Sequence, residues 1–473
     1  MRTSRLGLIG LAIMAILAWT SVAQADLDAV AQAMGAAKVD SLQITGGGFM
    51  YTLGQAYQPG KAWPKLNLSR FTRSDDYAGA AHAFDYYISR AEPQGGGAIP
   101  PTGEVRRTGG VSGDQAWNLV YPQGSAAQAG VAPYQHDLWI SPHGIVKAAM
   151  AAKAPMSGST FEIVREGRFR ARATVGAGNP VEKVESWVDN PVLGDMTVVT
   201  MYSDYKDYGG VKFPGRVTQA MGGFPVLELT VADVKVNAGA VTVPSPIAPA
   251  TVTVTVDKAA DGVWFIHGGS HHSVAIEMAD HVILFEAPLG DGRTNAVLDA
   301  VRKTIPGKPI RFTVMSHHHF DHSGGLRAAA AADTVLVVPE ASRPFFEQAY
   351  AAPRTLAPDT LAKSGKQAKF ATYRDKHVMS DATRTIELHV LKGNVHAEEF
   401  IVGYLPKEKI LIVADAFSPR VPVTQTPANI NPSTKNLWEN IDRLKLDIQT
   451  VLPIHGRMVK VDELKLEAGV HTH

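Results

Sequence analysis

The chain has 473 residues, 45% hydrophobic and 19% charged, with a formal net charge of +1. That length exceeds one ordinary core and implies two or three domains, with a composition normal for a globular fold. The near-neutral charge gives no reason to expect nucleic acid or an anionic membrane as partner. Cysteine is absent, which removes disulfides, thiolate ligands, a cysteine nucleophile and a lipidated N-terminal cysteine together.

The N-terminus reads as an export signal. Arg2 and Arg5 make a basic start, residues 6–19 are apolar, and Ala23-Gln24-Ala25 supplies an A-x-A cleavage pattern before Asp26. The apolar run falls short of the roughly 20 residues that a spanning helix needs. The expected location is therefore the periplasm or the extracellular space, with no membrane contact after cleavage.

Residues 26–245 read as a mainly antiparallel β domain of unknown role. Strand-like runs at 181–188, 197–202, 215–220 and 226–236 are separated by turn signals such as Tyr208-Gly209-Gly210 and Gly222-Gly223. Residues 163–175 alternate well enough to form one further strand, and 77–90 predict a helix. No catalytic constellation lies in this half. Its later part loosely resembles, in pattern alone, the curved sheets of periplasmic lipoprotein carriers. The Pro-rich run 243–250 reads as a short stiff linker without helical or strand periodicity.

From residue 252 the pattern changes to α/β. Strands are expected at 251–256, 262–267, 274–277, 282–286, 310–315 and 334–338, with helices at 293–304 and 326–332. Fourteen of the 17 histidines follow residue 260. The densest group is Ser316-His317-His318-His319-Phe320-Asp321-His322-Ser323-Gly324-Gly325, which places H-x-H-x-D-H directly after an apolar strand. Imidazole and carboxylate are the ligands of divalent zinc, iron and manganese. Buried in a strand, each of these rings would need its own hydrogen-bond partner. Downstream, His396, Asp415 and His455 each follow an apolar run, the strand edge at which α/β folds gather their chemistry. A second cluster, Trp264 to Ser273, includes His271 and His272.

These motifs together make 252–470 resemble the metallo-β-lactamase superfamily. The resemblance implies an αβ/βα sandwich with two metals at one edge of its sheets. It implies His317, His319 and His396 on the first metal, Asp321, His322 and His455 on the second, and Asp415 bridging both. His318 would face away and matter least. The expected cofactors are two divalent ions, zinc first, with iron or manganese as alternatives. Such a pair lowers the pKa of a water held between the ions, so the resemblance implies hydrolysis of an ester, lactone, thioester or amide-like bond. Asp321 and Asp415 are the catalytic candidates that would orient the water or relay a proton. His271 or His272 would contact a small-molecule substrate, and Glu286 would support the ligands from behind. A mononuclear iron dioxygenase and a non-catalytic binding protein are the competing readings, and oligomeric state is left open.

Overall fold

A computed structural model describes residues 26–91, 103–120, 125–249 and 252–470. The export signal expected at 1–25 lies outside them. No described helix is long and apolar enough to cross a membrane.

The first region is one long sheet, 13-stranded among the described residues. Its centre is Ser41–Tyr51, antiparallel to both Lys65–Asp76 and Phe224–Val236. One wing runs outward through successive antiparallel neighbours to Thr160–Arg165. The other runs through Ala81–Arg90 and Val105–Ser112 toward Ser125–Gln128. Alternation drives these strands: in Phe169–Val175, Phe169, Ala171, Ala173 and Val175 are buried while Arg170 and Arg172 point to water. Helices Leu27–Met34, Val131–Ile140 and Pro142–Ala152 cover one face, closing a core that includes Val30, Met34, Leu138, Ile145, Phe161 and Phe213.

Three expectations for this region are corrected. Residues 77–90 hold no helix; Ala81–Arg90 is a strand paired on both sides, as its Phe-Asp-Tyr-Tyr-Ile content favours. The run 163–175 is not one strand but the two arms of a hairpin, Thr160–Arg165 and Phe169–Val175, broken at Gly167 with φ +67°. The Pro-rich run is not free of strand structure, because Ile247–Ala248 pairs in parallel with Ala126 and Ala127.

The second region is a sandwich. A 7-stranded sheet carries the strands from Thr255–Ala260 to Lys369–Tyr373, and a 6-stranded sheet those from Lys376–Ser380 to Val459–Lys460. The first of these strands starts at Thr255, later than the expected 251. Val282–Phe285 and Ile410–Val413 are buried at every position, as strands covered on both faces must be. Between the sheets Phe265, Ile276 and Phe285 meet Leu388, Ile401, Ile412 and Leu452. Helix Asp291–Thr304 packs outside the first sheet against Ile266, Val282 and Leu284. Helix Pro432–Leu444, started by Asn431 and Pro432, packs outside the second through Leu437 and Ile441. The architecture is the expected αβ/βα sandwich preceded by a large antiparallel sheet.

Candidate metal centre

Four chain segments converge at one edge of the sandwich. His317 to His319 follow strand Ile310–Val314, and His319 leads into the short helix Phe320–Ser323 that carries Asp321 and His322. His396 follows Thr385–Val390, and the Asn394 side chain accepts the backbone N–H of His396 and Ala397 to shape that turn. Asp415 follows Ile410–Val413 and His455 follows Thr450–Pro453. Strand ends thus deliver every expected donor.

The donors form two groups joined by one carboxylate. In the first, His317 Nε2 lies 3.0 Å from His319 Nδ1 and 3.1 Å from His396 Nε2. In the second, His455 Nε2 lies 3.2 Å from His322 Nε2, with Asp321 Oδ2 3.8 Å from His322 Nε2. Asp415 spans both, with Oδ1 2.8 Å from His322 Nε2 and 3.0 Å from His455 Nε2, and Oδ2 3.4 Å from His396 Nε2. The inner wall is closed, with His317, His319 and His322 at 0% exposure. The opposite side is open, because the Asp321 side chain keeps 33% of its surface.

Four of the rings are held through their other nitrogen. His317 Nδ1 pairs with Ser316 Oγ, His319 Nε2 donates to the Ala56 carbonyl, and His455 Nδ1 donates to the Ser270 carbonyl. His322 Nδ1 donates to Glu286 Oε2 at 2.8 Å, while Glu286 Oε1 accepts the Ser316 N–H at 2.6 Å. Glu286 therefore stands behind His322 and the strand end that leads to His317. Such partners fix the tautomer and aim the remaining lone pair inward.

Charge follows the same division. Burial and the neighbouring rings push His317 and His319 well below the usual imidazole range, and burial also lowers His396. Burial opposes a charge on His322, but Asp415, Glu286 and Asp321 outweigh it and hold the ring well above that range. Burial likewise opposes ionisation of Asp415, yet His322 and His396 hold it well below the usual carboxylate range. Asp321 is lowered too, against burial, chiefly by His322 and a bond from His271.

This donor set fits divalent cations. Three imidazole nitrogens converge, and His317 and His319 have their outer nitrogens engaged, an arrangement that a cation among them would satisfy. Donors about 2.0–2.1 Å from a tetrahedral ion sit roughly 3.3 Å apart, close to the separations within both groups.

The flagged hairpin divides. His271 joins the second group, its Nε2 3.1 Å from Asp321 Oδ2 and its ring 4.2 Å from that of His455. The guanidinium of Arg293 donates to the His271 carbonyl and fixes it there. His272 turns away, donating from Nε2 to the Gly456 carbonyl with its edge against Phe265. His318 is likewise turned from the cluster, but it is 2% exposed and donates from Nε2 to the Ala56 carbonyl at 2.8 Å. Burial lowers it to about 4. Far from idle, this ring docks the two regions. A cleft of about 410 Å³ lined by His318, Phe320, Trp63, Phe224 and Phe345 lies there and includes none of the clustered donors. Sequence reasoning missed Gln55 and Ala56, which touch Asp321 and His319 from the first region.

Residues 266–455 match the family model described as the Metallo-beta-lactamase superfamily. The match spans less than half of the chain and marks that stretch as similar to the superfamily. Members of the metallo-β-lactamase superfamily are mostly metal-dependent hydrolases, and the fold typically binds divalent metals, often zinc. Among solved structures, the chain is similar to a metallo-β-lactamase from Pontibacter korlensis, at 18% identity and TM-score 0.36, covering 46% of this chain and 98% of that one. FIM-1 from Pseudomonas aeruginosa in its mono-zinc form matches at 20% identity and TM-score 0.35, covering 46% and 94%. A metallo-β-lactamase from Hirschia baltica matches at 21% identity and TM-score 0.35, covering 46% and 96%. No curated protein matches the chain.

Proposed function

We propose that the chain is an exported hydrolase of small molecules, holding two divalent ions, zinc by preference, and cleaving an ester, lactone, thioester or amide-like bond. The observation that carries this reading is Asp415, whose two oxygens reach both donor groups at once. In this reading His317, His319 and His396 hold one ion, Asp321, His322 and His455 the other, and Asp415 lies between. His271 becomes a further donor to the second ion instead of a substrate contact, since its Nε2 sits at donor spacing from Asp321 Oδ2. Export rests on the N-terminal pattern, and residues 26–245 and 252–470 are read as separate domains.

When bound, such a pair of ions polarises a carbonyl and makes water acidic near neutral pH. The protein's own groups do the rest. Asp415 and Asp321 are held ionised, so each can orient an attacking water by accepting its hydrogen bond. With an ion bound, Glu286 would hold the one remaining His322 proton on Nδ1, leaving Nε2 to the ion. The open side by Asp321 admits the substrate, while the buried rings behind it exclude bulk water.

The test is metal analysis of full-length protein purified without added metal, followed by a hydrolysis panel of lactone, thioester, ester and β-lactam substrates. About two zinc-like ions per chain are expected, with activity lost on chelation and in Asp415→Asn. A single iron with oxygen uptake would overturn the hydrolase reading.

A further inference from the structure

The turn between strands Ser41–Tyr51 and Lys65–Asp76 reaches out of the long sheet and lies against the donor-bearing loops. The Gly54 carbonyl accepts the Phe320 N–H at 3.2 Å. Gln55 Nε2 donates to Asp321 Oδ1 at 2.8 Å. The Ala56 carbonyl accepts from His318 and His319 together, at 2.8 and 2.9 Å. Tyr57 brackets His396, its carbonyl accepting the Glu398 N–H and its hydroxyl donating to the Asn394 carbonyl, both at 3.0 Å. The approach requires glycine at 54, where φ is +77° and a Cβ would lie 2.5 Å from the Phe320 ring. Ordinary docking needs only packing and a polar rim. Here the polar contacts fall on Asp321, on His319 and on both flanks of His396.

We infer that this loop is a working part of the metal centre, and that Gln55 is a positioning residue that sets the orientation of Asp321. The inference rests on the two-metal reading above. A free carboxylate rotates and presents either oxygen. With Oδ1 held by Gln55, Oδ2 alone remains toward His271 and His322. The Ala56 carbonyl does the equivalent for His319. It takes the proton on Nε2 and leaves the lone pair on Nδ1, the atom nearest His317. The long sheet thus supplies partners of the kind that orient metal ligands, partners whose loss lowers metal affinity by roughly 10–100-fold. Because Asp321 belongs only to the second donor group, the effect of Gln55 must fall on one ion and spare the other.

The experiment is a cobalt(II) titration of metal-free, full-length protein, following visible absorption and checking fold by thermal melting. Wild type should show two binding steps. Gln55→Ala should keep the step assigned to His317, His319 and His396 and weaken the other by about 10–100-fold. Gln55→Glu is nearly isosteric but cannot donate, so it should weaken the same step at least as far. Gln58→Ala, in the same loop but with a side chain that donates to Glu398 at an exposed site, should leave both steps unchanged. Folded Gln55 variants with wild-type affinities overturn the inference. Equal weakening of both steps by Gln55→Ala and Gln58→Ala also overturns it, since that marks general loosening. If wild type binds no metal, the two-metal reading itself fails and the inference goes with it.

Discussion

Glu286→Gln separates metal positioning from fold maintenance. The native carboxylate is wholly buried and faces two donors, the Ser316 N–H at 2.6 Å and His322 Nδ1–H at 2.8 Å. The amide that replaces it is the same size but offers one acceptor and one NH2. One of the two donors must then meet a donor. The backbone N–H of Ser316 cannot change its chemistry, whereas an imidazole can move its proton from Nδ1 to Nε2. The amide NH2 should therefore turn to His322, leaving the proton on Nε2, the nitrogen beside Asp415 and His455. The fold keeps its stronger anchor and loses one charge-assisted bond, a cost of about 1.5–3 kcal/mol. On the proposed two-ion reading, the ion assigned to His322 loses a correctly prepared ligand, which should lower its affinity by roughly 10–100-fold, or about 1.4–2.7 kcal/mol. Chelator competition on the folded variant measures this, with a thermal melt beside it. Unchanged affinity for both ions, or equal loss of both, would refute the reasoning.

Other outcomes follow from named contacts. Gly54→Ala should destabilise the protein by about 2–4 kcal/mol in urea unfolding, because the new Cβ overlaps the near end of the Phe320 side chain. Arg354→Ala strips donors from the carbonyls of Asn190, Pro191 and Val192 across the junction of the two regions, and a loss of about 2–4 kcal/mol in the same assay is expected. His271→Ala should weaken metal binding in a chelator competition while His272→Ala leaves it unchanged. His143 is fully buried, donates to the Met34 carbonyl, and is lowered by burial to about 4. The unfolded chain protonates it below about 6.5, so its stabilisation is complete above that pH and is lost as pH falls toward 4. His143→Leu should therefore narrow the difference in unfolding free energy between pH 7 and pH 4.5 by about 2 kcal/mol.

The sandwich and its donors were legible because their signals are local. An apolar strand followed by H-x-H-x-D-H states both a sheet edge and a ligand set, and His396, Asp415 and His455 repeat that grammar. The hairpin at 163–175 is hard to read because Ile163 on one arm and Phe169, Ala171 and Ala173 on the other all fall at odd positions, so both arms share one alternation phase. Residues 77–90 misled because Ala78 to Ala83 masked the aromatic strand that follows. Gln55 and Ala56 carry no such signal: one is a lone amide, and the other acts through its carbonyl, which every residue type shares. Their partners lie 266 and 263 residues away, beyond any spacing rule. His318 was underrated for the same reason, since only the fold shows what its outward face meets.

The shared Ala56 carbonyl makes docking and ion binding two sides of one thermodynamic cycle. One oxygen holds both His318, which joins the regions, and His319, which belongs to the first donor group. Whatever free energy seating the long sheet adds to metal affinity, the metal must return in full to the seating of the sheet. Ions bound in the second region would then clamp the first, and removing them would loosen the hold of Ala56 and Gln55 on His319 and Asp321.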